Sequence, residues 1–379
     1  MSSLKQFFVS VGVSVLSAGM CLATANAGVE REAQKLLNTC SIDAGVCCIP
    51  AIQEPELAIE LARQSEMVVL ALEADTAKLA RLQAQASTAG LLGRRLYVQQ
   101  GTVEAIPFAD NYVDLLVLGG VAEKDLSQAQ RDEIMRVLTP IHGRVVLADK
   151  TMRKPELPGS DWWPHKEHGP NNNRVSTDTV FAFPPLLQYR ALPMYMSDFG
   201  GELTANGIHF KVIGWNWKGV FQASISGRII ARNLYNGHIL WTGMVPEKHV
   251  MLAPTMVAAH GALLLGSGTT AEVVRYDQKT GEKLAPIKLG TDEQRVRWLA
   301  CKDGVLYALL GGPTEQIAPL RFYFLINRTA NSRHKSQSLF AHQLIAYDMK
   351  AEKVLWTHTE DALIDYSNIA VADGRVYFY

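Results

Sequence analysis

The sequence has no excess of charge of either sign, few cysteines and, after its first residues, no long apolar run. Lysine plus arginine and aspartate plus glutamate number 37 each, so no charge field favours nucleic acid or an acidic membrane surface. The five cysteines in 379 residues are too few for a disulfide framework, and they show neither a C-x-x-C pair nor a Cys/His spacing suited to zinc. We therefore expect a globular protein with no nucleic-acid partner, no metal site and no transmembrane helix in its mature chain.

The first 27 residues have the pattern of an export signal. Lys5 gives a short basic region, residues 6–23 are mostly apolar or small, and Ala25-Asn26-Ala27 is the small-x-small pattern that a signal peptidase accepts. A retained membrane anchor is the alternative, but the segment is short and Gly12 and Gly19 interrupt it. The sequence predicts a signal peptide over residues 1–27 and a periplasmic or secreted protein.

Residues 28–150 alternate short apolar runs with helical patterns. The candidate strands cover residues 45–49, 67–72, 96–99, 113–118 and 145–148, and the candidate helices cover residues 54–63, a segment capped by Asp75, and a segment behind a capping box of Ser127 and Gln130. Such alternation predicts an α/β, Rossmann-like domain, with a parallel sheet covered by helices on both faces. A ligand would bind at the carboxyl ends of the strands.

Three features of this domain, in this order, resemble a class I methyltransferase that uses S-adenosylmethionine. An acid, Glu73, ends the second strand, the run at residues 101–110 precedes the fourth strand, and the turn at residues 138–143 leads into the fifth. The resemblance implies S-adenosylmethionine as cofactor, with Glu73 on its ribose and Thr102 and Val103 beside its adenine. It covers about 120 residues of the chain.

The same domain departs from the family where the cofactor should meet the first strand. The turn at residues 49–55 contains no glycine and two prolines, Pro50 and Pro55, which lack N–H donors. Glu54 adds negative charge, and Thr102 stands where the family usually has an acid. We therefore predict a degenerate cofactor site with no catalytic residue. A working methyltransferase is the alternative.

Residues 151–200 form a connector rich in proline, tryptophan and histidine. Within it, residues 161–173 read DWWPHKEHGPNNN. His165 and His168 have a spacing that would suit a metal on a helix, but Pro164 and Pro170 disfavour a helix there. We expect instead that the aromatic side chains pack across the joint between two domains.

Residues 201–379 repeat two strand-and-turn phrases at a period near 43 residues. A glycine turn recurs at Gly207, Gly261, Gly304 and Gly374, and a strand-turn-strand phrase recurs around Gly237, Gly281 and Ala351. An insertion at residues 313–341 lengthens one step. Two hairpins per period predict four-stranded β-propeller blades. The repeat resembles that of propellers that bind pyrroloquinoline quinone, and we expect Trp241 and Trp356 to pack between neighbouring blades.

About three blades fit in the chain, so we expect an incomplete, quinoprotein-like, all-β propeller that is truncated relative to the natural protein or is closed by a partner. The resemblance makes the quinone a possible cofactor, but we find no calcium site for it in these blades. The adjacent Cys47 and Cys48 are expected to be buried thiols.

The favoured function is an exported binding scaffold, with a protein or small-molecule ligand on the propeller. A methyltransferase and a quinone-dependent dehydrogenase are the two alternatives.

Overall fold

The computed structural model describes residues 27–51, 55–185, 187–191, 201–213, 227–245, 253–267, 269–312 and 340–379. The chain contacts separate two compact units, residues 1–156 and residues 157–379. Residues 1–26 of the predicted signal peptide and residues 313–339 of the predicted insertion lie outside the described residues, as do residues 52–54 of the first turn.

The first unit alternates helices and strands as the sequence predicts. Its elements are α1 (residues 27–40), β1 (Ala44–Ile49), α2 (Pro55–Gln64), β2 (Glu66–Glu73), α3 (Thr76–Thr88), β3 (Leu96–Gln100), β4 (Leu115–Leu118), α4 (Gln128–Val137), β5 (Arg144–Leu147) and β6 (Thr151–Arg153). The sheet order is β3-β2-β1-β4-β5-β6, and only β6 runs antiparallel to its neighbour. The Rossmann-like fold is confirmed.

The central strands of the first unit are buried on both faces, and the sheet separates two cores. Successive residues of one strand enter opposite cores. Cys47 packs with α1, α2 and α3, while Cys48 packs with α4. The two thiols are free and buried, and burial raises the pKa of Cys48 to about 12. This matches the expectation that the adjacent cysteines are buried thiols.

Side-chain caps start two of the helices, as the sequence predicts. The Asp75 carboxylate accepts hydrogen bonds from the amides of Ala77 and Lys78 at 2.8 and 2.9 Å. At α4, the Ser127 hydroxyl accepts from the Gln130 amide and the Gln130 side chain accepts from the Ser127 amide, which is a complete capping box. Among the described helices, none has the length and apolar character needed to cross a bilayer.

The second unit contains several antiparallel sheets, each a meander in chain order. The first sheet holds β7 (Gly201–Ala205), β8 (Ile208–Val212), β9 (Arg228–Asn233) and β10 (Ile239–Met244). The second holds β11 (Met256–Ala259), β12 (Ala262–Gly266), β13 (Glu272–Asp277) and β14 (Lys283–Lys288). The third holds β15 (Arg295–Lys302), β16 (Val305–Gly311), β17 (Phe340–Asp348) and β18 (Lys353–Asp365). The fourth holds β19 (Ala370–Ala372) and β20 (Arg375–Tyr377).

The first hairpin of every sheet has the same turn. Its two central residues both have positive φ: 52° and 76° at Asn206 and Gly207, and 51° and 70° at Asp373 and Gly374, with matching values in the other two sheets. Two positive φ angles in a two-residue loop match the right-handed twist of the flanking strands, and glycine at the second position removes the steric penalty. The glycine-turn phrase was therefore a correct prediction.

The second phrase is also confirmed, with one correction to its third copy. The left-handed residue of this turn is Gly237 in the first sheet and Gly281 in the second, with φ of 72° and 71°. In the third sheet it is Glu352, with φ of 52°, and not Ala351 as the spacing indicated. The turn after β17 is one residue shorter than the turns after β9 and β13. The left-handed residue therefore lies directly before the following strand in the third sheet, whereas one more residue separates the two in the first and second sheets.

Neighbouring sheets share apolar cores, and the two repeated tryptophans behave differently in them. Trp241 of the first sheet is buried, and its indole N–H donates to the Gln278 carbonyl of the second sheet at 2.8 Å. A Cβ on Gly281 would lie 2.5 Å from the Trp241 ring, so glycine is required at that turn. Trp356 is 39 % exposed, and its ring lies 6.2 Å from that of Tyr307 in its own sheet. The prediction for Trp356 was therefore wrong.

Candidate functional site

The candidate site of the first unit lies at the carboxyl edge of the parallel sheet, between β1 and β4. The strand order reverses there, and in open α/β sheets ligands bind in the crevice at such a switch point. On the β4 side the chain continues into the exposed Gly119 and Gly120. On the β1 side it continues into Pro50, which is buried and has no N–H to offer.

Glu73 lies where the sequence predicted, as the last residue of β2 at this edge, and it is partly exposed. Its Oε1 accepts a hydrogen bond of 2.9 Å from the Asp75 amide, so one carboxylate oxygen already binds the chain's own backbone. The Gln100 side chain donates to the Ala74 carbonyl beside it at 3.3 Å. Sequence reasoning missed Gln100, although its place directly after a predicted strand was a usable signal.

Thr102 and Val103 follow β3 at the same edge but face different surroundings. Thr102 is exposed, and its side chain hydrogen-bonds to Glu104. Glu104 also accepts a bond of 2.6 Å from the Gln130 side chain, and the bonds from Thr102 and Gln130 lower the pKa of this carboxyl. The Val103 side chain is buried in the core beside α4. An acid is thus present near the expected position, two residues along the chain, and its carboxylate faces α4.

The segment after β3 is fixed to α4 by charged side chains. The Ile106 amide donates to Glu133 Oε1 at 2.7 Å, and Arg136 pairs with both Glu133 and Asp110 at 2.7 Å. Arg136 also donates to the carbonyls of Ile106 and Phe108. This network makes the segment a fixed wall of the crevice.

A second charged group lies at the ends of β4 and β5. The Glu123 amide donates to Asp149 Oδ1 at 3.1 Å, and the Glu123 carboxylate pairs with Lys150. Sequence reasoning missed this group as well. The signal that would have indicated it is a pair of charged residues directly after a predicted parallel strand.

Two described residues at the switch point bear on the binding of S-adenosylmethionine. The fold holds such a cofactor by bringing backbone N–H groups and glycines close to it after the first strand. Here the first residue after β1 is the buried Pro50, which has no N–H, and Glu73 shares its carboxylate with the Asp75 amide. Among the described residues, the edge therefore offers a carboxylate at Glu73 and no N–H at Pro50.

The histidines of the connector lie in the second unit and do not form a metal site. They face each other across an isolated β-bridge and do not lie on a helix. His165 is buried, and its Nε2 accepts a bond of 3.0 Å from the Cys301 amide, while His168 Nε2 pairs with Asp161 Oδ2 at 2.8 Å. Burial lowers the pKa of His165 to about 4. Within the described parts of the chain, no group of three or more His, Cys, Asp or Glu residues is placed to hold a metal ion.

Comparison with protein families identifies one match. A family model described as "Methyltransferase domain" matches residues 55–147, so a methyltransferase-like domain is present. The match begins with the first residue of α2 and ends with the last residue of β5. It therefore leaves out β1 and the glycine-free turn that follows. No curated protein matches the chain.

Solved structures also match about a third of the chain. One protein of Methanococcus maripaludis, assigned as an S-adenosyl-L-methionine-dependent methyltransferase, is 28% identical over 32% of this chain and 55% of its own, with a TM-score of 0.28. The YcgJ protein of Bacillus subtilis is 21% identical over 31% and 49%, with a TM-score of 0.26. A methyltransferase of Aquifex aeolicus is 18% identical over 30% and 62%, with a TM-score of 0.26. The chain thus spans less than two thirds of each of these structures.

Proposed function

We propose that this chain is an exported binding scaffold, whose methyltransferase-like domain no longer holds S-adenosylmethionine tightly. The second unit would supply the binding surface for a protein or small-molecule ligand in the periplasm or outside the cell. The observation that carries the proposal is Pro50, buried at the end of β1 where the fold needs a flexible backbone with a free N–H. Export agrees with this loss, because S-adenosylmethionine is a cytoplasmic metabolite.

The antiparallel sheets of the second unit support a β-propeller arrangement. The first three sheets are four-stranded meanders with the same first hairpin turn. Strand β7 contacts β11 and β11 contacts β15, so the first strands of consecutive sheets lie side by side. Strands that line a central channel are related in this way. We propose that these sheets are consecutive blades, with the fourth sheet as the start of another.

Calorimetric titration with S-adenosylmethionine tests the loss of the cofactor site. We expect no binding by the wild-type chain at a Kd below about 100 µM, and a gain of affinity in Pro50→Gly. The matched control is Pro140→Gly, since Pro140 is also buried in the first unit but precedes β5, at the opposite edge of the sheet. Micromolar binding by the wild-type chain contradicts the proposal.

An active methyltransferase is the second candidate, and the position of Glu73 at the end of β2 favours it. In that case Glu73→Ala should abolish cofactor binding while the far-ultraviolet circular dichroism stays unchanged. Under the scaffold proposal, the wild-type chain gives no binding signal, and Glu73→Ala gives none either. The titration of the wild-type chain therefore separates the two candidates before any variant is made.

A further inference from the structure

The first strand of each sheet in the second unit is an edge strand, and its outward amides need partners. In each first hairpin, the last pair of strand residues before the turn closes the hairpin. The residue three positions before the hairpin glycine belongs to the next pair away from the turn. In an antiparallel ladder this second pair is not hydrogen-bonded, so its N–H groups point away from the neighbouring strand. The four residues at this position are Thr204, Ala258, Cys301 and Val371.

All four of these amides donate to one short segment of the connector. The Thr204 amide donates to the Trp163 carbonyl at 2.9 Å, the Ala258 amide to the Pro164 carbonyl at 2.9 Å, the Cys301 amide to His165 Nε2 at 3.0 Å, and the Val371 amide to the Pro170 carbonyl at 2.8 Å. The acceptors follow one another along the segment in the same order as the sheets follow one another along the chain. Chance packing of a linker does not select the same repeat position in every sheet.

The segment has internal bonds that hold its shape. The Trp163 indole donates to the Lys166 carbonyl at 3.1 Å, and the rings of Trp163 and His168 make an edge contact at 5.0 Å. Asp161 accepts from His168, and its carboxylate also accepts a bond of 2.6 Å from the Thr177 amide. Because these contacts order the segment, less conformational entropy is lost when it meets the sheet edges.

One side chain extends the attachment to the fourth sheet. Lys166 Nζ donates to the Tyr366 hydroxyl at 2.9 Å and lies 4.9 Å from the centre of that ring. Tyr366 precedes β19 in the turn that leads into the fourth sheet. The segment therefore holds this sheet by a backbone bond at Val371 and by a cationic side chain at Tyr366.

We infer that residues 163–170 are an intramolecular strap, which occupies the outward edge of the first strand in all four sheets and holds the sheets in their order. The strap supplies the acceptors that an added β-strand would otherwise provide at these positions. A peptide or protein ligand of the second unit must therefore bind elsewhere than these edges. This inference goes beyond the proposed function and stands independently of cofactor loss.

Residue-resolved hydrogen exchange on the full chain tests the strap. In the wild-type chain the amides of Thr204, Ala258, Cys301 and Val371 should be protected at least about a hundredfold relative to an unstructured peptide, although they face away from their ladders. Exchange within about tenfold of the unstructured rate at these positions overturns the inference. This measurement needs no variant, so it decides even where a substitution prevents folding.

Two substitutions at His165 sharpen the test. His165→Leu removes the acceptor, and the Cys301 amide should exchange about tenfold faster, with smaller changes at Thr204, Ala258 and Val371. His165→Gln places an oxygen near the position of Nε2 and should keep the protection of Cys301. Equal protection of Cys301 in the leucine variant and the wild-type chain would overturn the assignment of His165 as acceptor, and with it the strap contact to the third sheet.

Discussion

The two units of this chain differ in the hydrogen-bond donors that the backbone of their strands offers. In the first unit the strand end at the switch point continues into Pro50, so a donor is missing where the fold would meet its ligand. In the second unit the same outward amide is kept in every sheet and is bonded to the strap. The first unit has no N–H donor at Pro50, whereas the second unit uses a strand amide as a donor in four sheets.

This difference separates what holds a fold together from what makes it bind. The two cores of the first unit depend on alternating apolar residues of β1, β2 and β4, and Pro50 does not disturb them. The packing of the sheet therefore does not depend on a free N–H at the residue that follows β1. In the second unit the outward amides contribute to stability, because their acceptors come from the same chain. Changes to them should therefore affect folding before they affect binding.

The largest effect is expected when a strand residue of the second unit is replaced by proline, so that it lacks an N–H as Pro50 does in the first unit. Ala258→Pro removes the N–H that meets the Pro164 carbonyl, and a proline whose N–H side faced only solvent would be tolerated at a sheet edge. We expect a loss of about 3 kcal/mol in the free energy of unfolding, because the Pro164 carbonyl loses its donor and the proline ring crowds it. All seven tryptophans lie in residues 157–379, so their fluorescence reports the unfolding of this unit alone.

The matched control for this substitution is Ala258→Gly, which keeps the N–H and changes only the side chain. Glycine should cost about 1 kcal/mol, from its greater backbone entropy in the unfolded state. Equal unfolding midpoints for the two variants would mean that the Ala258 amide makes no contribution through the strap.

The strap should weaken in acid over a defined range of pH. Burial lowers the pKa of His165 to about 4 from an ordinary value of 6.5, so the unfolded chain binds more protons between these values and stability falls as the pH falls. The stabilisation is complete above about pH 6.5 and is lost by about pH 4, which amounts to about 3 kcal/mol. Tryptophan fluorescence in denaturant at several pH values measures it.

A variant at residue 165 separates the contribution of His165 from that of Asp161. Asp161 is partly buried, which favours its protonated form, but bonds from Thr177, His168 and Ser176 outweigh burial and hold its pKa below its usual value. Its contribution is therefore lost only below about pH 4. The control is His165→Gln, which cannot titrate at residue 165. The variant should lose less stability than the wild-type chain between pH 6.5 and 4, and identical pH profiles would contradict the prediction.

Local features of this fold were predictable from the sequence because they depend on neighbouring residues. The cap at Asp75 and the capping box at Ser127 follow from side-chain chemistry within one turn. The hairpin glycines follow from the backbone conformation that a two-residue loop requires. Glu73 was placed correctly at the sheet edge, but its bond to the Asp75 amide was not predicted, since it depends on the path of the chain after the strand.

The strap was not predictable, although half of its geometry was. Hairpin register alone implies that Thr204 and its equivalents point their amides outward. The sequence does not indicate which distant segment accepts them, because one acceptor is a histidine ring and the others are backbone carbonyls that any residue carries. Pro164 and Pro170 suggested an irregular connector at a domain joint, whereas the segment belongs to the second unit and is bonded along its length.

The smallest expected effect concerns an amide of the first unit that is bonded by a helix cap. Ser127→Ala removes the hydroxyl that accepts from the Gln130 amide and should cost about 1 kcal/mol. Circular dichroism at 222 nm measures this loss, because the α-helices that the structure describes all lie in the first unit. Ser87→Ala is the matched control, since Ser87 lies exposed within α3, where alanine is the better helix former, and it should cause no loss. Ser127→Ala should not gain affinity for S-adenosylmethionine, because the amide that it releases lies at α4, whereas the missing donor is at Pro50. A gain in Ser127→Ala would mean that capping, rather than the proline, closes the crevice of the first unit.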